Sequence, residues 1–184
     1  QASPLTFDPE AHRYELAGKT LISVTRTWQL SGYDPYEGCP VSHIEGRAQL
    51  GKVCHAVFAF DELGVLDENT VAAPVWPYLR GLRKFRADKK PKMKRVEEMV
   101  FSKRWQYAGR FDWIGEIDGK LSLVEWKITR KLAWIFGVQL AGYQCAVEEM
   151  ERLKIKARYV LQLLEDGTYR FEPYTDASDF DTWL

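Results

Sequence analysis

The chain has little of what marks secreted, membrane-spanning or strongly charged proteins. Its three cysteines, Cys39, Cys54 and Cys145, lie far apart and form no Cys-x-x-Cys pair. That spacing argues against a zinc knuckle, a four-cysteine iron–sulfur cluster and a disulfide framework, and it favours a reduced, cytoplasmic setting. No apolar run approaches the roughly 20 residues of a membrane span. The first residues carry no signal-peptide pattern. Formal net charge is zero, so no global field draws the protein to nucleic acid, and any such binding must use a local basic surface. Repeats and low-complexity tracts are also missing. Aromatic residues are plentiful, with seven Trp, nine Tyr and nine Phe among 184 residues. That length suits one domain over 1–184 with a sizeable core.

Apolar periodicity and turn residues outline the elements. Residues 5–23 read as a small hairpin turning at Ala17-Gly18-Lys19, and 24–31 as a short helix ending near Gly32. Residues 33–40 are turn-rich. Helices follow over about 43–63, ended by Gly64, and 75–88, broken by Lys89-Lys90-Pro91-Lys92. Strands are expected over 96–102, 107–117 and 120–127. A helix over 133–153 should carry Leu140, Tyr143, Val147 and Met150 on one side, with a closing hairpin over 158–164 and 168–174. The Asp179–Leu184 segment reads as a helix cut short. The order predicts an α/β sandwich with a central mixed sheet flanked by helices, its core at 96–174 preceded by the hairpin 5–23 and the helices of 24–88.

The most informative stretch is Gly109-Arg110-Phe111-Asp112, followed thirteen residues after Asp112 by Glu125-Trp126-Lys127. Asp118-Gly119 lies between them, the strongest short-range signal for a two-residue hairpin. That turn sets Ile117 against Lys120, and it sets Asp112 against Glu125 and Arg110 against Lys127 on the face of Ile114 and Leu123. The other face takes Phe111, Trp113, Ile117, Val124 and Trp126. A hairpin apolar on both faces is central, and burying Asp112 and Glu125 beside it is costly without a compensating positive charge. A divalent cation is the natural candidate. The plainer alternative is a cross-strand salt-bridge cluster.

Asp112 and Glu125-Trp126-Lys127 resemble the PD-(D/E)XK nuclease superfamily, in which an acid on one strand is followed by acid-x-Lys on the next. Gly51-Lys52-Val53-Cys54-His55 resembles the helical Gly-x-x-x-His of its RecB-like branch, and Gln139-Leu140-Ala141-Gly142-Tyr143 the Gln-x-x-x-Tyr of the helix after the acid-x-Lys strand. His12-Arg13-Tyr14, Ser23-Val24-Thr25, Val75-Trp76-Pro77-Tyr78-Leu79 and Ser178-Asp179-Phe180 extend the likeness to phage-encoded exonucleases of that branch. One departure is Ile128-Thr129 after Lys127, where Thr-Gly is usual; it puts phosphate contacts in that loop in doubt.

The resemblance implies a restriction-endonuclease-like core and a Mg²⁺- or Mn²⁺-dependent deoxyribonuclease. Asp112, Glu125 and Lys127 would be catalytic. His55, Asp112, Glu125 and the Trp126 carbonyl would hold the metal. Gln139 and Tyr143, at i and i+4, would contact DNA or order the site, with ordinary packing as the alternative. Arg110, Arg130 and Lys131 are further candidates for DNA contact. Glu97 or Glu98 is either another acid near the metal or an edge charge. The basic run from Arg83 to Arg95 is either a phosphate track or a solvated face. Trp105 and Tyr107 are candidates for base stacking, with core or rim packing as the alternative, and Asp61 and Glu62 read as surface charges. The expected partner is linear duplex or single-stranded DNA, together with a phage recombination protein. An endonuclease, a non-catalytic binding module and a phage assembly protein are the competing classes.

Overall fold

The computed structural model describes residues 5–26 and 41–183. The second half of the expected 24–31 helix, the turn-rich 33–40 stretch and Cys39 lie outside the described residues. Eight strands form one mixed sheet: β1 Leu5–Asp8, β2 Arg13–Leu16, β3 Lys19–Ser23, β4 Lys92–Ser102, β5 Tyr107–Ile117, β6 Lys120–Lys127, β7 Ala157–Leu163 and β8 Tyr169–Pro173. The helices are α1 Val41–Glu62, α2 Trp76–Lys89, α3 Ile135–Glu151 and α4 Ser178–Trp183. None is long and apolar enough to cross a membrane.

The expected 5–23 hairpin is a three-stranded meander, because Leu5–Asp8 pairs with Arg13–Leu16 ahead of the Ala17-Gly18 turn. β4 begins four residues earlier than expected, directly after Pro91. The central hairpin has the expected register from Ile117 opposite Lys120 to Trp113 opposite Val124, but the ladder stops there: the expected Asp112–Glu125 pair is not formed, and Glu125 lies opposite Val160. Both residues of its turn have positive φ, 49° at Asp118 and 74° at Gly119, the geometry an Asp-Gly pair adopts readily.

β4 pairs along nearly the whole of one edge of β5. The other edge of β5 is shared: β3 runs parallel to it at Tyr107 and Ala108, and β6 takes it from Trp113 onward. Between those ladders the sheet forks. β6 continues as a parallel neighbour of β7, from Ser122 opposite Ala157 to Lys127 opposite Gln162. The connection from β6 to β7 passes through α3, as a parallel pair requires a crossover.

Two apolar layers cover the sheet. On one face Cys54 and Phe58 of α1 and Tyr78, Leu79, Leu82 and Phe85 of α2 pack on Trp113, Val124, Trp126 and Leu161. On the other, Leu140, Tyr143 and Val147 of α3 and Trp183 of α4 pack on Phe111, Ile114, Leu123 and Val160. Met150, expected with them, is 37 % exposed. Phe111 departs from the expected alternation, since it shares the α3 layer with Ile114, three residues on. The alternation of β5 breaks at Asp112, since Phe111 and Trp113 lie in opposite layers, and β4 is irregular beside it. Glu97 has φ 51°, and the ladder passes from Val96 opposite Trp113 to Glu98 opposite Phe111 with neither Glu97 nor Asp112 paired. A left-handed residue inside a strand re-aims the side chains on either side of it.

Candidate active site

The irregularity at Glu97, the fork at Asp112 and the middle of α1 meet. His55 lies on α1 next to buried Cys54, and its ring is held edge-on to Trp126, 5.8 Å between centroids. Its Nδ1 is 3.1 Å from Asp112 Oδ1 and 3.2 Å from Glu97 Oε1. One ligand atom from each of the three side chains lies within 4.8 Å of the others. The second Asp112 oxygen, Oδ2, accepts the backbone N–H of Trp126 at 2.6 Å. Asp112 therefore ties the imidazole to the backbone between Glu125 and Lys127.

A second group sits on the α3 side. Lys127 Nζ donates to Glu125 Oε1 at 2.8 Å and to Gln139 Oε1 at 3.2 Å. Gln139 Nε2 donates to the same Glu125 oxygen at 2.9 Å and reaches the Tyr143 hydroxyl at 3.3 Å. The Lys127 ammonium also lies over the Phe136 ring, 4.7 Å from its centre. Gln139 is 3 % exposed; it is a buried amide satisfied by the acid and the amine at once, not a solvated one. Close packing behind it depends on Gly109, where a Cβ would come within 2.6 Å of the Tyr143 ring and 2.9 Å of Val24.

The two groups are electrostatically linked. Burial lowers the His55 pKa, but Asp112 and Glu97 outweigh it and raise the imidazole to about 10. Burial, reinforced by the charge of Asp112, raises Glu125 to about 7 against the pull of Lys127 and His55. Burial and Asp112 also raise Glu97, against its bond to His55. Carboxylates outnumber cations here, and Glu97 and Glu125 are pushed toward their neutral forms, so the site lacks positive charge. Two carboxylates and an imidazole at this spacing are a donor set that a divalent cation fits, with oxygen ligands suiting Mg²⁺ or Mn²⁺ and the imidazole tolerated by the latter. His55, Glu97 and Asp112 form a cluster capable of coordinating such an ion.

Several expected residues lie elsewhere. Arg110 does not face Lys127: it stands opposite Met99 of β4, with its guanidinium over Phe7, 5.4 Å from the ring centre. β6 has left β5 by that point, and Lys127 lies opposite Gln162. Arg130 and Lys131 are exposed on the loop after β6. Tyr107 is buried, its hydroxyl donating to the Gly142 carbonyl at 2.7 Å, which leaves no face for a base. Asp61 and Glu62 are not surface charges. Their side chains are 6 % and 5 % exposed, bound to Arg83 and Arg86 of α2, and Glu62 also accepts Trp113 Nε1. The basic run is partly engaged in such pairs, while Lys89, Lys90 and Lys94 are exposed. Arg83 and Arg86 serve that network, Arg95 binds Glu98 and Glu151, Lys84 binds Asp88, and Lys92 lies 3.7 Å from Glu116.

No protein-family model matches the chain, and no curated protein sequence does. Among solved structures it is similar to a protein from Eubacterium rectale named "Putative exonuclease". The TM-score is 0.54 and the identity 12 %, over 89 % of this chain and 75 % of that one. A protein named SSO0001 aligns with a TM-score of 0.38 and 15 % identity, over 73 % and 69 % of the two chains. The first likeness, with the sheet described above, shows an α/β fold with a central mixed sheet flanked by helices, consistent with a restriction-endonuclease-like core. At this identity it shows the fold alone.

Proposed function

We propose that the protein is a metal-dependent DNA nuclease of the RecB-like branch, hydrolysing phosphodiester bonds from DNA ends in phage replication or recombination. One observation carries the reading: the His55–Glu97–Asp112 cluster is joined through the Trp126 N–H to a lysine held on a buried carboxylate. A merely structural ion pair has no need of a surplus of buried acids. His55, Glu97 and Asp112 would hold Mg²⁺ or Mn²⁺, with Glu125 and the Trp126 carbonyl as further ligands. The cation supplies Lewis-acid polarisation of a phosphoryl oxygen and a more acidic water.

The chain's own residues do the rest. Lys127 Nζ, fixed by Glu125 Oε1 and Gln139 Oε1, orients the attacking water and offers an ammonium to the charge growing on the phosphoryl oxygens. Gln139 holds both partners of that pair in place, and Tyr143 braces Gln139. Water oxygen bonds to phosphorus as the bond to the 3′ oxygen breaks, leaving a 5′-phosphate and a 3′-hydroxyl. End-labelled linear and covalently closed DNA, incubated with Mn²⁺ and with EDTA, test this reading. Mn²⁺-dependent release of label from linear DNA is expected. Intact DNA of both kinds under Mn²⁺ refutes it.

A further inference from the structure

The loop that leaves the proposed catalytic strand is built as a platform. Arg47 Nη2 donates to the Ile128 carbonyl at 2.6 Å, Gln162 Nε2 to the Thr129 carbonyl at 2.8 Å, and the Tyr174 hydroxyl to the Ala133 carbonyl at 3.1 Å. Three elements, α1, β7 and the segment after β8, thus pin one short stretch of backbone, and Thr129 Oγ1 closes it on the Lys131 carbonyl at 3.1 Å. Leu132 and Ala133 pack inward. What this rigid stretch turns outward is Arg130, Lys131 and the indole of Trp134, which is 57 % exposed.

Trp134 sits at the N-cap of α3 without capping it through its side chain, and its carbonyl accepts the Gly137 N–H at 2.9 Å. Two residues on, Phe136 lies under the Lys127 ammonium. The tryptophan is therefore within one helical turn of a side chain that touches the proposed catalytic lysine. A lone exposed apolar residue needs no explanation. A large one held on a pinned loop, beside two cations and next to a site for phosphodiester chemistry, has a chemical match in a strand of phosphates and unpaired bases. Trp105, the other exposed tryptophan among the described residues, fits less well. It lies beyond the far end of β5, five residues from Asp112 at Tyr107. Arg130 is 3.7 Å from Glu165, but their side chains are 83 % and 54 % exposed, so that pair holds the guanidinium only weakly.

We propose that Trp134 stacks on an unpaired base next to the scissile phosphate while Arg130 and Lys131 hold the strand's phosphates, so that the site takes single-stranded or frayed DNA in preference to intact duplex. The proposal rests on the nuclease reading and deepens it. The test is fluorescence anisotropy of labelled oligonucleotides in EDTA, where no cation supports cleavage, with melting curves to verify folding. Trp134→Ala should weaken binding of a single strand roughly 5- to 150-fold, the loss expected of one base–aromatic stack, and Trp134→Phe should restore most of it. Neither should change binding of a base-free strand of the same length or of a blunt duplex. Arg130→Gln with Lys131→Gln should weaken all these ligands and reduce the salt slope on single strands by about 1.4. Equal losses on normal and base-free strands, or no loss for Trp134→Ala, overturn the proposal. Metal-dependent cleavage by the unmodified protein alongside such a result leaves the nuclease reading standing. Base-dependent binding without cleavage does the reverse.

Discussion

Cation binding should be coupled to proton release, and the stoichiometry follows from the site. In the metal-free protein, burial disfavours the charged imidazole of His55, but Asp112 and Glu97 prevail and raise its pKa to about 10. A cation can use Nδ1 only after that proton has left. Each ion bound between pH 7.5 and 9 should release about one proton, and its apparent affinity should climb about tenfold per pH unit. Nearer pH 6, Glu125, raised to about 7 chiefly by burial, is also largely protonated and loses its proton beside a cation. The number released should then approach two. Calorimetric titration of Mn²⁺ in buffers of different ionisation enthalpy counts these protons directly. Asp112→Asn is the control, because its amide oxygen can still accept the Trp126 N–H. It should abolish the coupling with the binding. It should also cost the metal-free protein about 3 kcal/mol, or roughly 6–12 °C in Tm, from the broken buried pair. The sign against pH is fixed by the raised pKa of His55: the stabilisation is fully present below about 6.5 and is lost as pH rises through about 10. The Tm difference between the two proteins should therefore shrink above pH 9. A Mn²⁺ affinity that is flat from pH 6 to 8.5, with no proton released, refutes the imidazolium and the ligand role of His55 together.

Four further outcomes are expected. Lys127→Ala should lower cleavage at least about 100-fold while Mn²⁺ and DNA binding persist; near-normal turnover of the purified variant removes Lys127 from the mechanism. His55→Ala and Glu97→Gln should each weaken Mn²⁺ binding at least about tenfold; unchanged affinity with a large fall in Tm would make either residue structural. Gly109→Ala should destabilise by about 1–3 kcal/mol in chemical denaturation, because its Cβ would enter Tyr143 and Val24; an unchanged midpoint would mean that this packing yields freely. Linear DNA should be degraded while closed circular duplex survives, read on a gel against time, and rapid cutting of the circle at one sequence would refute end-dependence but leave the metal site intact.

What was legible in the sequence is local. Asp118-Gly119 between alternating runs set the register of β5 and β6, because turn geometry and a period of two leave few alternatives. The layer of helices on each face followed from apolar spacing. Three features were not legible, each for a tertiary reason. Glu97 could not be told from Glu98, because a left-handed residue inside a strand has no signature when the residue is not glycine. Phe111 lies on the unexpected face because the alternation of β5 breaks at Asp112, which a period of two does not foresee. Asp61 and Glu62 looked like surface charges because the guanidiniums that compensate them stand more than twenty residues away on another helix, a pairing that only the packing of α1 on α2 creates.

The site's position has a physical origin in the sheet itself. One edge of β5 belongs to β4, while the other is divided between β3 at Tyr107–Ala108 and β6 from Trp113. Two strands cannot both pair with one edge at the same level, so residues 109–112 face a gap on that side. Backbone groups left at such a gap must find side-chain or solvent partners. Asp112 supplies one by accepting the Trp126 N–H with Oδ2, which fixes its rotamer and leaves Oδ1 turned to His55. The same separation of strands lets α1 bring an imidazole in from one side and α3 bring Gln139 to the Lys127 pair from the other. A continuous ladder would have closed that space. The interruption that costs the sheet its hydrogen bonds is thus what admits the acids, the imidazole and the amine to one place. Restoring the ladder and keeping the cluster are incompatible in this topology.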